Sequence, residues 1–237
     1  QNGHFEVLKW AYQNGCPLDC FVSIRAAENG HFEILKWAHQ NGCLPHLFTC
    51  ANAVKNGHFE ILKWCRENNY PWDGFTYFNA IANGNFNILK WIHKNGCPYD
   101  SEICACAAAH GKFQVLKWCH EGGCICSTDT CASAAANGYF KILIWCRMNG
   151  CPWNNDTCLD AAKNGYLSIL IWRYINGCPW DKNICSYAAV NGNIECLKYL
   201  HENGCEWESL TCAHAAENGH LEILKWARNN GCEWDYR

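Results

Sequence analysis

The sequence predicts an all-α solenoid of helix–turn–helix repeats, and three observations predict it. A turn glycine recurs at Gly3, Gly30, Gly57, Gly84, Gly111, Gly138, Gly165, Gly192 and Gly219, so eight successive intervals of 27 residues run without insertion or deletion. After each glycine the apolar residues fall mostly at helical spacing, as at Phe86, Ile88, Leu89, Trp91 and Ile92. Between copies lies a short link such as Cys97-Pro98-Tyr99-Asp100, where proline blocks helix continuation.

One unit, Asp73 to Tyr99, shows each element in order. Asp73 is a suitable N-cap, its carboxylate placed to accept from orphan N–H groups of a first helix running through Phe75, Thr76, Phe78, Ala80 and Ile81. Asn83-Gly84 ends that helix, because glycine enters the left-handed conformation without a Cβ penalty. The second helix carries Phe86 to Ile92 and ends at Asn95-Gly96 by the same device. Asp100 then caps the next first helix.

The same unit read along the chain places a leading half-repeat at 1–19, then eight repeats starting near 20, 47, 74, 101, 128, 155, 182 and 209, as one array over 1–237. Glu6/Lys9, Glu33/Lys36, Glu60/Lys63, Glu195/Lys198 and Glu222/Lys225 are i, i+3 pairs that mark a solvated face of the second helices. Alanine pairs such as Ala26-Ala27, Ala107-Ala108, Ala134-Ala135, Ala161-Ala162 and Ala188-Ala189 allow neighbouring first helices to approach closely. Two tryptophan columns read as core: one in the second helix, from Trp10 to Trp226 with Tyr199 as its exception, and one in the link at Trp72, Trp153, Trp180, Trp207 and Trp234.

A net charge of -3 with charges spread evenly excludes a nucleic-acid footprint and a polybasic membrane patch. No apolar run approaches the ~18 residues needed to cross a bilayer. Gln1 opens in mid-repeat, the only methionine is Met148, and neither end turns into a polar cap, so a longer protein is expected.

The 21 cysteines are odd in number and mostly follow the repeat, at Cys16, Cys43, Cys97, Cys124, Cys151, Cys178, Cys205 and Cys232 in the second turn, and at Cys50, Cys104, Cys131, Cys158, Cys185 and Cys212 in the connector. Equivalent cysteines one helix layer apart, roughly 8–10 Å, exceed the ~7 Å Cα limit for a disulfide, so the column reads as free, buried thiol in a reducing, cytoplasmic compartment. Cys104, Cys106, His110, Cys119, His120, Cys124, Cys126 and Cys131 form the densest soft-ligand cluster, but only Cys106 and Cys126 depart from the columns, so no metal or cofactor is assigned. No nucleophile, base and orienter recur together, and an enzyme is not predicted.

Asn56-Gly57-His58-Phe59-Glu60-Ile61-Leu62-Lys63-Trp64, preceded by Thr49-Cys50-Ala51-Asn52-Ala53-Val54 and followed further on by an Asn-Gly-Cys-type turn, resembles the ankyrin repeat. The resemblance covers the whole chain and is nearest to the short tryptophan- and cysteine-rich variety of giant viruses and protists. For a viral protein that implies the host cytoplasm. The usual ankyrin repeat has about 33 residues, and these links are too short for its long β-hairpin finger.

The resemblance implies a protein–protein interaction scaffold whose first helices line a concave groove. Variable positions there are Arg25, Asn52, Asn79, Cys106, Ser133, Asp160, Tyr187 and His214, with Phe48 and Phe75 as link anchors beside them. The alternative is a structural protein whose ends stack copies of itself into an array or filament.

Overall fold

The computed structural model describes residues 3–99, 102–177, 180–181, 183–206 and 209–233, without the side chain of residue 209. Among them are 17 helices and no strand. They fall into two compact units, Gln1–Ile103 and Cys104–Arg237. The first unit holds α1 (Phe5–Gln13), α2 (Cys20–Glu28), α3 (Phe32–Gln40), α4 (Leu47–Lys55), α5 (Phe59–Glu67), α6 (Gly74–Asn83) and α7 (Phe86–Lys94). The second holds α8 (Ile103–Ala109), whose first residue falls at the division, α9 (Phe113–Glu121), α10 (Thr128–Ala136), α11 (Phe140–Met148), α12 (Asp156–Lys163) and α13 (Leu167–Ile175). It continues with α14 (Ile184–Val190), α15 (Ile194–Glu202), α16 (Ser209–Glu217) and α17 (Leu221–Asn229). No helix among the described residues is long and apolar enough to cross a membrane.

The helix ends follow from local chemistry. Asp19 and Asp73 each accept, at 3.1 Å, the N–H two residues on, at Phe21 and Phe75. Gly84 closes α6 at φ 73°, and the Asn85 side chain accepts from the Ile88 N–H at 3.2 Å to open α7. At the second turn the Asn41 amide donates to the Trp37 carbonyl at 2.8 Å. With Gly42 at φ 85°, the Cys43 N–H reaches back to the Ala38 carbonyl at 2.9 Å. The cap role predicted for Asp100 lies outside the described residues.

The first helices start where the repeats do, near 20, 47 and 74, which places the residues read as link anchors inside helices. Phe48, Phe75 and Leu210 belong to the first turns of α4, α6 and α16, and the described connector cysteines lie within first helices, not in links. His46 and Asp73 supply the N-caps that start α4 and α6 ahead of them.

First helices stack closely, α2 on α4 on α6 in one unit and α10 on α12 on α14 on α16 in the other, and each also packs on its own second helix. The alanine pairs at the contacts are fully or nearly fully buried. Second helices stand further apart and are joined by side chains. Edge-on contacts link Phe5 to Trp37 at 5.7 Å, Phe32 to Trp64 at 5.9 Å and Phe59 to Trp91 at 5.6 Å. Phe113–Trp145 at 6.0 Å and Phe140–Trp172 at 5.8 Å continue the pattern in the second unit.

The tryptophans are therefore half-buried bridges at the margin, not core, since one indole edge is covered by the preceding repeat and the other side stays near solvent. Trp10, in the first described helix, is 66% exposed. Trp207 and Trp234 lie outside the described residues.

A third tie lies at the first turn. A Cβ on Gly30 would stand 2.8 Å from the His58 ring, on Gly111 2.6 Å from Tyr139, on Gly138 2.5 Å from Tyr166 and on Gly165 2.6 Å from Asn193. Each glycine thus serves twice, for its positive φ and for the side chain that the next repeat lays across it. Several of those side chains also hydrogen-bond back: His58 Nε2 stands 3.2 Å from Glu28 O, and Asn193 Nδ2 donates to Lys163 O at 2.7 Å.

All twenty described cysteines are free and seventeen are buried; Cys178 lies outside the described residues. Within a repeat the first-helix cysteine meets the second-turn cysteine, as where the Cys185 thiol donates to Cys205 Sγ at 3.1 Å. The turn thiol also holds the start of its own repeat: Cys43 Sγ donates to Asp19 O at 3.1 Å and Cys97 Sγ to Asp73 O at 3.5 Å.

Candidate interaction surface

Residues four apart on a helix share a face, so Phe21/Arg25, Phe48/Asn52 and Phe75/Asn79 make one row across α2, α4 and α6. Phe21, Phe48 and Phe75 are 61%, 45% and 63% exposed, although the same helices bury nearly everything on their opposite sides. Phe48 and Phe75 meet edge-on at 6.4 Å. Leaving three phenylalanines in water at successive repeats forfeits apolar burial that the opposite faces of the same helices achieve.

The polar members of the row differ in freedom. Arg25 is exposed and ion-paired with Glu28 at 2.5 Å. Asn52 donates to the Phe48 carbonyl at 2.9 Å, on its own helix. Asn79 instead donates to the Ala51 carbonyl at 3.1 Å, across the stack, and so helps to hold α6 on α4.

In the second unit the column comprises Cys106, Ser133, Asp160, Tyr187 and His214. Ser133, Asp160 and His214 are half-buried, and Tyr187 is exposed. Burial, reinforced by nearby Asp156, pushes the Asp160 carboxyl above its ordinary value. His214 Nδ1 stands 3.7 Å from the Glu217 carboxylate.

Cys106 departs from the surface expected of it: it is buried, with its thiol 3.8 Å from His110 Nδ1. A small apolar side chain among the alanines of α8 is covered by its neighbours where a longer one would emerge.

Sequence reasoning named Phe48 and Phe75 and missed Phe21, which the period itself would have found 27 residues before Phe48. The column continues with the exposed carboxylates Glu102, Asp129 and Asp156, then Asn183 and the exposed Leu210, so acid replaces the aromatic rings over its middle repeats. On the second helices the five predicted Glu–Lys pairs form at 2.6 to 3.3 Å. The same lysines also cover rings: Lys9 lies 4.0 Å from the centre of Phe5 and Lys63 4.3 Å from that of Phe59.

The thiol–imidazole constellation separates into two contacts, Cys106 with His110 and Cys126 with His120, each at 3.8 Å. Among the described residues no group of three or more His, Cys, Asp or Glu side chains could hold a metal ion.

A recurring buried framework that carries a row of changing side chains defines a helical repeat protein. Residues 158–237 match the family model described as ankyrin repeats (3 copies), and the chain carries an ankyrin-like helical repeat solenoid. No curated protein matches the chain.

Proposed function

We propose that this chain is a non-enzymatic scaffold that holds a protein partner against the faces of its first helices, the concave side of an ankyrin-type stack. The observation that carries this reading is the exposed row Phe21, Phe48 and Phe75 beside Arg25, Asn52 and Asn79. Aromatic rings with a polar rim have the composition of a protein-binding centre. Ser133, Asp160, Tyr187 and His214 occupy the equivalent repeat positions in the second unit, and the unbroken 27-residue period favours one array of repeats along the sequence. Twenty described free thiols favour a reducing compartment such as the cytoplasm.

The test replaces Phe21, Phe48 and Phe75 together by serine and compares captured partners with those of the unmodified chain. Since the three rings are exposed, thermal stability should change little while the partner is lost. Unchanged capture by a folded triple variant overturns the reading.

A second reading is self-assembly by end-to-end stacking of the repeats. Sedimentation that stays monomeric at all concentrations rules it out.

A further inference from the structure

Arg173 breaks the repeat. The equivalent positions hold Ala11, Ala38, Cys65, Ile92, Cys119, Cys146, Leu200 and Ala227, all small or apolar. Arg173 is nevertheless only 1% exposed. Burying a guanidinium at a site built for alanine or leucine carries a large desolvation cost that nothing in the stacking of repeats requires.

The surroundings have changed with it. Arg173 Nε donates to Cys158 Sγ at 3.0 Å and Nη2 to the Asn154 carbonyl at 3.0 Å. Its guanidinium carbon lies 3.7 Å from the centre of the Trp153 ring, and that of Arg147 lies 3.9 Å from the same ring. The residue after the link tryptophan is Asp73 or Asp181 in other repeats, but here it is Asn154. An acid has been lost where an arginine has been gained.

A cavity of about 310 Å³ opens at this place, lined by Arg147, Arg173, Trp153 and the side chains or backbone of Asn154, Asn155 and Asn176, with Gly177 at its edge. Among the described residues its wall has two guanidinium groups and no carboxylate. Asp156, the acid next in sequence, is engaged at 2.7 Å by the Asn154 amide. The positive field reaches inward: after the hydrogen bond with Cys146, the charges of Arg147 and Arg173 help to hold the Cys131 thiol below its ordinary value.

We propose that this cavity binds an oxyanion, a carboxylate or phosphate group presented by the protein partner. The exposed Arg147 fork matches the paired oxygens of either group and stacking on Trp153 fixes its plane, while Arg173, its Nε and Nη2 already engaged by Cys158 and Asn154, adds positive charge from within the wall. The site rests on the scaffold reading only for the source of its anion.

Inorganic phosphate and, separately, acetate are titrated into the 237-residue chain at constant ionic strength, and the arginine Nε–H signals are followed by NMR. The expected result is a saturable shift of the Arg147 and Arg173 signals that leaves Arg25 and Arg66 unmoved. Arg147→Gln should weaken binding at least about tenfold. Arg173→Leu, which restores the residue that Leu200 supplies in the same column, should weaken it as well by removing the buried charge.

Non-saturable shifts shared by all arginines, or equal binding by wild type and Arg147→Gln, overturn the site; Arg147 is exposed, so that variant decides the matter even if Arg173→Leu does not fold. A second arm displaces bound phosphate with a glutamate-containing peptide or a phosphoserine peptide. Displacement by one assigns the group, and displacement by neither overturns its assignment to a partner. Because small anions test the cavity without any partner, failure here and failure of the serine triple variant are separate results.

Discussion

The Nε2–H of His220 donates to the carbonyl oxygen of Val190 at 3.0 Å, tying the turn that opens α17 to the last residue of α14 in the repeat before it. The same ring lies over Gly192, where an added Cβ would stand 2.9 Å away. One side chain thus accounts for both the glycine and the fixed distance to it.

Two alanine substitutions separate the roles of glycine. Gly192 and Gly204 have nearly the same conformation, φ 78° and 80°, but a Cβ on Gly204 meets nothing within 4 Å. Gly204→Ala should cost about 1 kcal/mol from backbone strain alone. Gly192→Ala should cost at least about 1 kcal/mol more, because the His220 ring must leave and its hydrogen bond with it. Equal urea midpoints for the two variants would sink the close-approach account.

The bond itself can be tested by exchange with another repeat. At the position equivalent to His220, Asn193 donates to Lys163 O at 2.7 Å. His220→Ala should lose about 1 kcal/mol, and His220→Asn should recover much of it. Denaturation of the two variants side by side decides, and an asparagine no better than alanine would argue for ring packing in place of the hydrogen bond.

Tryptophans that look equivalent in sequence should differ in energy. Trp172 meets Phe140 at 5.8 Å and Trp153 at 5.5 Å, whereas Trp10 is 66% exposed. Trp172→Ala is expected to destabilise by about 2–4 kcal/mol and Trp10→Ala by less than about 0.5. Calorimetric midpoints that fall equally would mean that the edge-on contacts contribute nothing.

The thiols give a pH dependence of definite sign. Burial pushes Cys196 up to about 11, and Cys97 and Cys119 up to about 12, from an ordinary 9.0. The folded chain therefore holds these protons more tightly than the unfolded chain. Stability is full below pH 9.0 and is lost as pH rises through the 9-to-12 window, where the unfolded thiols ionise first. Under reducing conditions the urea midpoint should hold to about pH 8 and decline by about pH 10. A midpoint that does not move would contradict the burial of these groups as neutral thiols.

Much of the architecture could be read directly from residue order. The interval between Gly30 and Gly57, the cap at Asp73 and the pair Glu60/Lys63 are local features, each decided within a turn or two of helix. Caps, left-handed glycines and i, i+3 pairs act over that range, so a linear reading recovers them. The interaction surface was less legible. Phe48 reads as a link residue because the side chain that caps α4 ahead of it is His46, which is not among the usual N-cap residues.

What the sequence by itself determined is the period, the helix pair and its stops, and the register of the variable column. Only the tertiary structure decided that Cys106 is buried while Phe21 is exposed, that the tryptophans lie at the margin, and that Arg173 shares a cavity with Arg147. The physical reason is that burial is not a property of a residue in its own helix. It is set by the side chains that arrive from the link and from the neighbouring repeat, and in a stack those lie about one period away along the chain.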